Sequence, residues 1–159
     1  MLPIAHELGV TISCDIQDIV SPNDEYRRDY LGYADVLFLS SVNHSDPTSM
    51  MMKFLESNPE RIVIAGMGSK GCGLATQRGV RFYSPVEMFG PVVDTNGAGD
   101  ALAVGFLASY FMDGFSLDDS ILRGQIAARY TCTQKGSSSS LISKEVLDRA
   151  HTQATLCAG

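Results

Sequence analysis

The sequence predicts an α/β fold, a mostly parallel sheet with an added β-hairpin, and three observations carry that prediction. Between Ala5 and Ala65, helical segments and strand-length apolar runs alternate three times, the rhythm of right-handed crossover units. The run Ala34–Ser40 is apolar almost throughout, as strands covered on both faces are. The rhythm then breaks at Cys72–Thr76 and Val80–Tyr83, two short runs joined by Gln77-Arg78-Gly79. A glycine-containing loop of that length between strand-like runs reads as a hairpin.

The elements follow in order. Residues up to Leu8 read as the last turns of a helix, Gly9 as its stop, and Val10–Asp15 as a buried strand. A chain that starts inside such a unit looks cut. Ser21-Pro22 is a cap-plus-proline helix start, with a helix over Asn23–Leu31. Ala34–Ser40 is the second strand. Asp46-Pro47 repeats the cap and opens a helix to Ser57, and Arg61–Ala65 is the third strand. After the hairpin, Ser84–Val93 is a proline-flanked connection. A helix starts near Gly97 or Ala98, runs to Asp113 and stops at Gly114. Ser116-Leu-Asp-Asp119 has the capping-box form and opens a helix to Lys135. Gly136 with four serines is a loop, and Ser143–Ala154 the last helix. The charges Lys144, Glu145, Asp148 and Arg149 read as its solvated face.

At 159 residues the chain reads as a single domain, 1–159, able to bury about 69% of its unfolded surface. With 45% hydrophobic and 19% charged residues, it does not have the composition of a disordered chain. No run of 18 apolar residues exists to span a membrane. A net charge of −6 and no basic cluster beyond Arg27-Arg28 exclude a nucleic-acid footprint. Cys14, Cys72, Cys132 and Cys157 have no metal-ligand spacing, so the expectation is four reduced thiols in a cytoplasmic protein. His6, His44 and His151 are scattered and read as no metal site. Met50, Met51 and Met52 read as helix and core filler.

Two glycine-rich loops carry the chemistry. Gly66-Met-Gly68-Ser-Lys-Gly71 follows a strand and spells the dinucleotide fingerprint. That fingerprint requires a helix at its third glycine, whereas Cys72-Gly-Leu-Ala-Thr76 reads as a strand. A plain turn, or a nucleotide-contacting turn of another fold, are the other readings. The second loop is Asp94-Thr-Asn-Gly97-Ala-Gly99-Asp100. The first amides of the helix after it point outward unpaired, and such an end binds anions. Gly97, Ala98 and Gly99 leave no side chain to block a phosphate. Asp100 is either a helix-capping carboxylate or a base beside an anion hole. The second reading explains why a carboxylate stands where a phosphate would bind: it takes the proton from an attacking hydroxyl.

Asp94-Thr-Asn-Gly-Ala-Gly-Asp100 resembles the D-T-x-G-A-G-D signature of the ribokinase-like (PfkB) sugar and nucleoside kinases. Ile62–Gly71 resembles the family's V-T-x-G-x-x-G strand and turn, and Ala34–Leu39 and Ala5–Asp15 fit the family's order. The resemblance implies the ribokinase-like three-layer α/β/α sandwich and ATP-dependent phosphorylation of a hydroxyl on a small sugar-like or nucleoside substrate. It implies Asp100 as base, Gly97, Ala98 and Gly99 as anion hole, and Gly68, Ser69, Gly71 and Thr95 near the nucleotide. Asp94 and Asn96 match positions linked to a monovalent cation, so ATP, Mg2+ and K+ are the implied cofactors. Three positions depart from the pattern. The N-x-x-E acid is missing from Ser40-Ser-Val-Asn43, the threonine is Gly66, and D-x-N-x-R survives only as Asp15-x-Gln17. Family members are roughly twice this length, so the chain reads as the carboxy-terminal, ATP-binding half without the amino-terminal half and lid. An exposed sheet edge and self-association follow from that reading. The rival reading is a truncated, catalytically inactive nucleotide-binding or regulatory module.

Overall fold

The computed structural model describes residues 1–18, 24–43, 46–136 and 141–157. The expected Ser21-Pro22 cap, His44, the four-serine loop and the thiol of Cys157 lie outside what is described. The chain divides into two compact units, Met1–Ser84 and Pro85–Gly159.

The first unit is α/β. Its helices are α1 (Leu2–Glu7), α2 (Arg28–Tyr33) and α3 (Thr48–Ser57). Its strands are β1 (Ser13–Asp18), β2 (Val36–Ser40), β3 (Ile62–Gly66), β4 (Cys72–Thr76) and β5 (Gly79–Tyr83). The strands form one sheet in chain order. β1, β2 and β3 are parallel, with Ser13 opposite Val36 and Val36 opposite Ile62. β4 and β5 return antiparallel as the hairpin the sequence predicts, with Gly66 opposite Cys72 and Cys72 opposite Tyr83. Alternation along β2 and β3 puts Leu37, Leu39, Val63 and Ala65 on one face. There they pack with Leu31 and with Met51, Phe54 and Leu55, an i, i+3, i+4 stripe on α3.

The bounds of β1 differ most from expectation. β1 starts at Ser13 rather than Val10 because β2 offers no partner upstream of Val36. Asp35 instead uses its carboxylate to accept the Ile12 amide at 2.8 Å. β1 then runs on to Asp18 across an irregular register after Asp15. Gln17 sits there at φ 55°, its amide on the Asp15 carboxylate at 2.8 Å.

β3 starts one residue late because Arg61 has another task. Its side chain is 1% exposed. Nε donates to Ala34 O at 2.7 Å, Nη1 to Phe54 O at 3.0 Å and Nη2 to Leu31 O at 2.5 Å. One guanidinium thus satisfies carbonyls in the last turns of α2 and α3, where the helix dipole favours a cation.

The second unit is helical: α4 (Ala98–Leu107), α5 (Leu117–Cys132) and α6 (Lys144–Cys157). α4 passes into a π-type turn over Ala108–Met112, where an unbroken helix to Asp113 was expected. Ser109 Oγ donates to Gly105 O at 2.7 Å within this stretch. Ser116 caps α5 as predicted, accepting the Asp119 amide at 3.1 Å. α4 and α5 cross closely, since a Cβ on Gly124 would stand 2.8 Å from Leu102 O and one on Gly105 would stand 3.0 Å from Gly124 Cα. Ile126, Leu147 and Ala150 join α5 to α6.

The charged run on α6 is only half solvated. Arg123, 1% exposed, donates to Asp148 at 2.7 Å and to Ser109 Oγ at 2.8 Å, and lies 4.3 Å above the Phe115 ring. Its guanidinium holds the Asp148 carboxyl below its ordinary value. Lys144 pairs with Asp113. A buried arginine needs such a partner, and helical periodicity alone does not show it.

Candidate active site

In the second unit, the segment before α4 is a built loop. The amides of Val93 and Asp94 both donate to Cys132 O, at 2.8 and 3.2 Å. The Asp94 carboxylate accepts the Asn96 amide at 3.0 Å and the Gly136 amide at 3.3 Å. These donors, Asn96 first, hold its pKa below the ordinary carboxylate value. Gly97 caps α4 in the left-handed region at φ 76°, where a side chain is strained. Ala98 N donates to Thr95 O at 3.2 Å, and Ala101 N begins the helical ladder on Gly97 O. Among the described residues, the amides of Gly97, Gly99 and Asp100 donate to no backbone carbonyl. They form the positive end of a ten-residue helix.

Asp100 stands in the first turn of α4, exposed. The N-cap is Gly97, which has no side chain to close a cap. The helix dipole favours a carboxylate in this turn whether or not it accepts a hydrogen bond, so both readings of Asp100 stand. Among the described residues the loop presents amides with no backbone acceptor beside an exposed carboxylate.

In the first unit, Gly68–Lys70 is a single 3₁₀ turn after β3. Gly71 follows at φ 92°, ψ −134°, a conformation only glycine adopts readily. β4 starts at once after it, so no helix follows the third glycine and the dinucleotide fingerprint reading falls. Gly68 and Ser69 line a depression of about 150 Å³ with Ser41, Val42, Pro47, Met67 and Lys70. It lies at the carboxyl ends of β2 and β3, where open parallel sheets bind ligands. Ser41, Pro47 and Lys70 were not singled out from the sequence.

The predicted site residues thus fall into two groups. Gly68, Ser69 and Gly71 belong to the turn of the first unit, while Asp94, Thr95, Asn96, Gly97, Ala98, Gly99 and Asp100 form the loop of the second. Among the described residues no three metal-ligating side chains converge. No helix among them is long and apolar enough to cross a membrane. Cys14, Cys72 and Cys132 are free, and burial pushes the Cys72 thiol up to about 12, which leaves it inert. His151 packs edge-on against Phe115 and lies 3.3 Å from Asp119.

The first unit thus carries a small depression at its parallel-strand ends, and the second a glycine-rich helix start whose amides at Gly97, Gly99 and Asp100 meet no backbone carbonyl among the described residues. Known proteins specify the family. A family model described as pfkB family carbohydrate kinase matches residues 16–144, and the chain belongs to that family. It is 33% identical over 147 residues to acarbose 7(IV)-phosphotransferase of Actinoplanes sp., across 91% of this chain and 48% of that protein. It is 33% identical over 111 residues to ATP-dependent ribose-1-phosphate kinase of Halopiger xanaduensis, across 69% of this chain and 36% of that one. A microbiome-derived acarbose kinase superposes with a TM-score of 0.85 at 26% identity, over 95% of this chain and 51% of its own. Ribokinase from Thermotoga maritima superposes at 0.75 with 21% identity, over 96% and 52%. The fold is therefore ribokinase-like, and the chain spans about half the length of these relatives or less.

Proposed function

We propose that this chain is the nucleotide-side part of an ATP-dependent kinase that phosphorylates a hydroxyl of a small sugar or sugar-like substrate. The observation that carries the proposal is Asp100. It is an exposed carboxylate in the first turn of α4, next to helix-start amides that meet no backbone carbonyl among the described residues, within the signature of a family of carbohydrate kinases. The amides of Gly97, Gly99 and Asp100 supply donors for the transferring phosphoryl group. Ala98 shapes the same hole with only a methyl group, its own amide being given to Thr95 O. Asp100 takes the proton of the attacking hydroxyl, and the donors stabilise the charge on the equatorial oxygens. Thr95 and the Gly68–Gly71 turn, with Ser69, serve the nucleotide.

ATP suits these residues because its phosphates match the amide donors. Magnesium needs no protein cage, since it is held through one or two carboxylates, phosphate oxygens and water; it would reach the site with the nucleotide. A potassium ion beside Asp94 and Asn96 would rest chiefly on main-chain carbonyls, because the Asp94 carboxylate already accepts two amides. The free thiols suit a cytoplasmic setting. The outer edge of β1 carries no strand among the described residues, so it is the surface for self-association.

The test is ATP binding against phosphoryl transfer, with Asp100→Asn as control. Transfer by the parent, lost by about 10²–10⁴-fold in Asp100→Asn with ATP binding kept, is the expected result. ATP binding with no transfer to any of a panel of sugars and nucleosides gives the rival reading, a non-catalytic nucleotide-binding module.

A further inference from the structure

The segment from Met88 to Asp94 is fastened to the last turn of α5 at successive points. Arg129 donates from Nε to Met88 O at 3.0 Å and from Nη2 to Gly90 O. The same guanidinium therefore holds two carbonyls on either side of Phe89. Phe89 is at φ 66°, a region that bulky residues rarely enter and that persists only where the surroundings enforce it. Its ring meets the edge of Tyr130 at 5.4 Å. Val86 and Met88 pack against the core of Ile126, Leu147 and Ala150. Three residues after the Gly90 carbonyl, the Val93 and Asp94 amides reach Cys132 O. Asp94 then organises the loop that ends in the free amides.

We propose that Arg129 is a positioning residue for the phosphate loop. Its Nε and Nη2 donors are spent on main-chain carbonyls. It holds the Met88–Gly90 turn in its left-handed form, and that turn sets where Val93 and Asp94 meet α5. The inference rests on the phosphate-binding reading of the Asp94–Asp100 loop. Alanine at 129 removes both donors. Lysine keeps the charge but has no planar fork to span two carbonyls. With glycine at 89 the left-handed turn is no longer strained, so the clamp has less to enforce.

The experiment uses the full chain and the variants R129A, R129K, F89G and the double variant F89G/R129A. Hydrogen exchange of Val93 and Asp94 is followed beside ATP titration by calorimetry. R129A and R129K are expected to speed exchange at those two amides at least about tenfold and to weaken ATP binding about five- to tenfold, as a smaller competent fraction requires. Exchange in the first turns of α5 stays unchanged. In the F89G background the effect of R129A falls to less than about half, a coupling that general destabilisation does not produce. Unchanged exchange at Val93 and Asp94 in R129A overturns the proposal. So does faster exchange with ATP affinity unmoved, or an R129A effect equal in both backgrounds. A parent chain that binds no ATP overturns the phosphate-binding reading, and the exchange measurements then still decide whether the clamp exists.

Discussion

Gly124→Ala sets two physical effects of opposite sign against each other. Gly124 lies inside α5, where alanine is favoured over glycine by about 1 kcal/mol through backbone entropy. Propensity alone therefore predicts a more stable protein. The structure predicts the reverse. The new Cβ would stand 2.8 Å from the Leu102 carbonyl oxygen, 3.1 Å from Leu102 Cδ1 and 3.3 Å from Phe106 N. The first and third of these are backbone atoms of α4, which no rotamer change moves aside. Ordinary contact begins near 3.4 Å, so α4 must withdraw by about 0.6 Å. Overpacking of this kind costs about 1–3 kcal/mol. The net expectation is a loss of up to about 2 kcal/mol, or up to about 8 °C in the melting midpoint. Leu102 is two residues beyond Asp100, so the same shift displaces the proposed base. Gly32→Ala in α2 is the matched control, because a Cβ there meets nothing within 4 Å, and it should stabilise by up to about 1 kcal/mol. Thermal melts of the parent and both variants decide the matter. If Gly124→Ala stabilises as much as Gly32→Ala does, the close helix crossing is wrong.

Other consequences are open to direct measurement. Arg61→Met keeps much of the side-chain volume but takes the guanidinium donors from the carbonyls of Leu31 and Ala34, while Phe54 O keeps Ser57 Oγ as a donor. Each unpaired buried group costs about 1–3 kcal/mol, so urea unfolding should show a loss of about 2 kcal/mol or more; a loss under 1 kcal/mol would contradict the anchor role. Asp94 and Asp148 both have folded pKa values below the ordinary 3.8, through donors from Asn96 and Arg123 respectively. Their contribution is complete above that value and disappears as pH falls through the folded ones. Unfolding free energy should therefore decline in acid below about pH 4, and Asp148→Asn should flatten the decline. A curve that rises toward acid would refute the sign. Sedimentation at micromolar concentration should show association through β1, and a stable monomer there rejects the exposed-edge argument.

Local chemistry explains which elements the sequence made legible. β2, β4 and β5 were placed within one or two residues because unbroken apolar runs and a glycine loop admit few alternatives. The Ser116 cap was legible because its partner is three residues away. The Asp94–Asp100 loop was legible as a motif because glycine and alanine at fixed positions leave amides uncovered. The missed features depend on distant partners. The start of β1 depends on where β2 begins, and Arg61 leaves its strand because two helix ends converge on it. Asp148 was read as solvated because a sequence cannot show that Arg123, 25 residues earlier, is buried beneath it.

The α/β class was readable from periodicity and short spacings, which are properties of neighbouring residues, and the family from the resemblance of the Asp94–Asp100 motif. Which donors and acceptors of that loop are engaged was settled by the fold. The Asp94 carboxylate is engaged by Asn96 and Gly136, and Ala98 has given its amide to Thr95. The fold also placed Arg129 across the two carbonyls that flank Phe89. Whether a donor or acceptor is spent is a matter of distances across the fold, and no pattern along the chain encodes it.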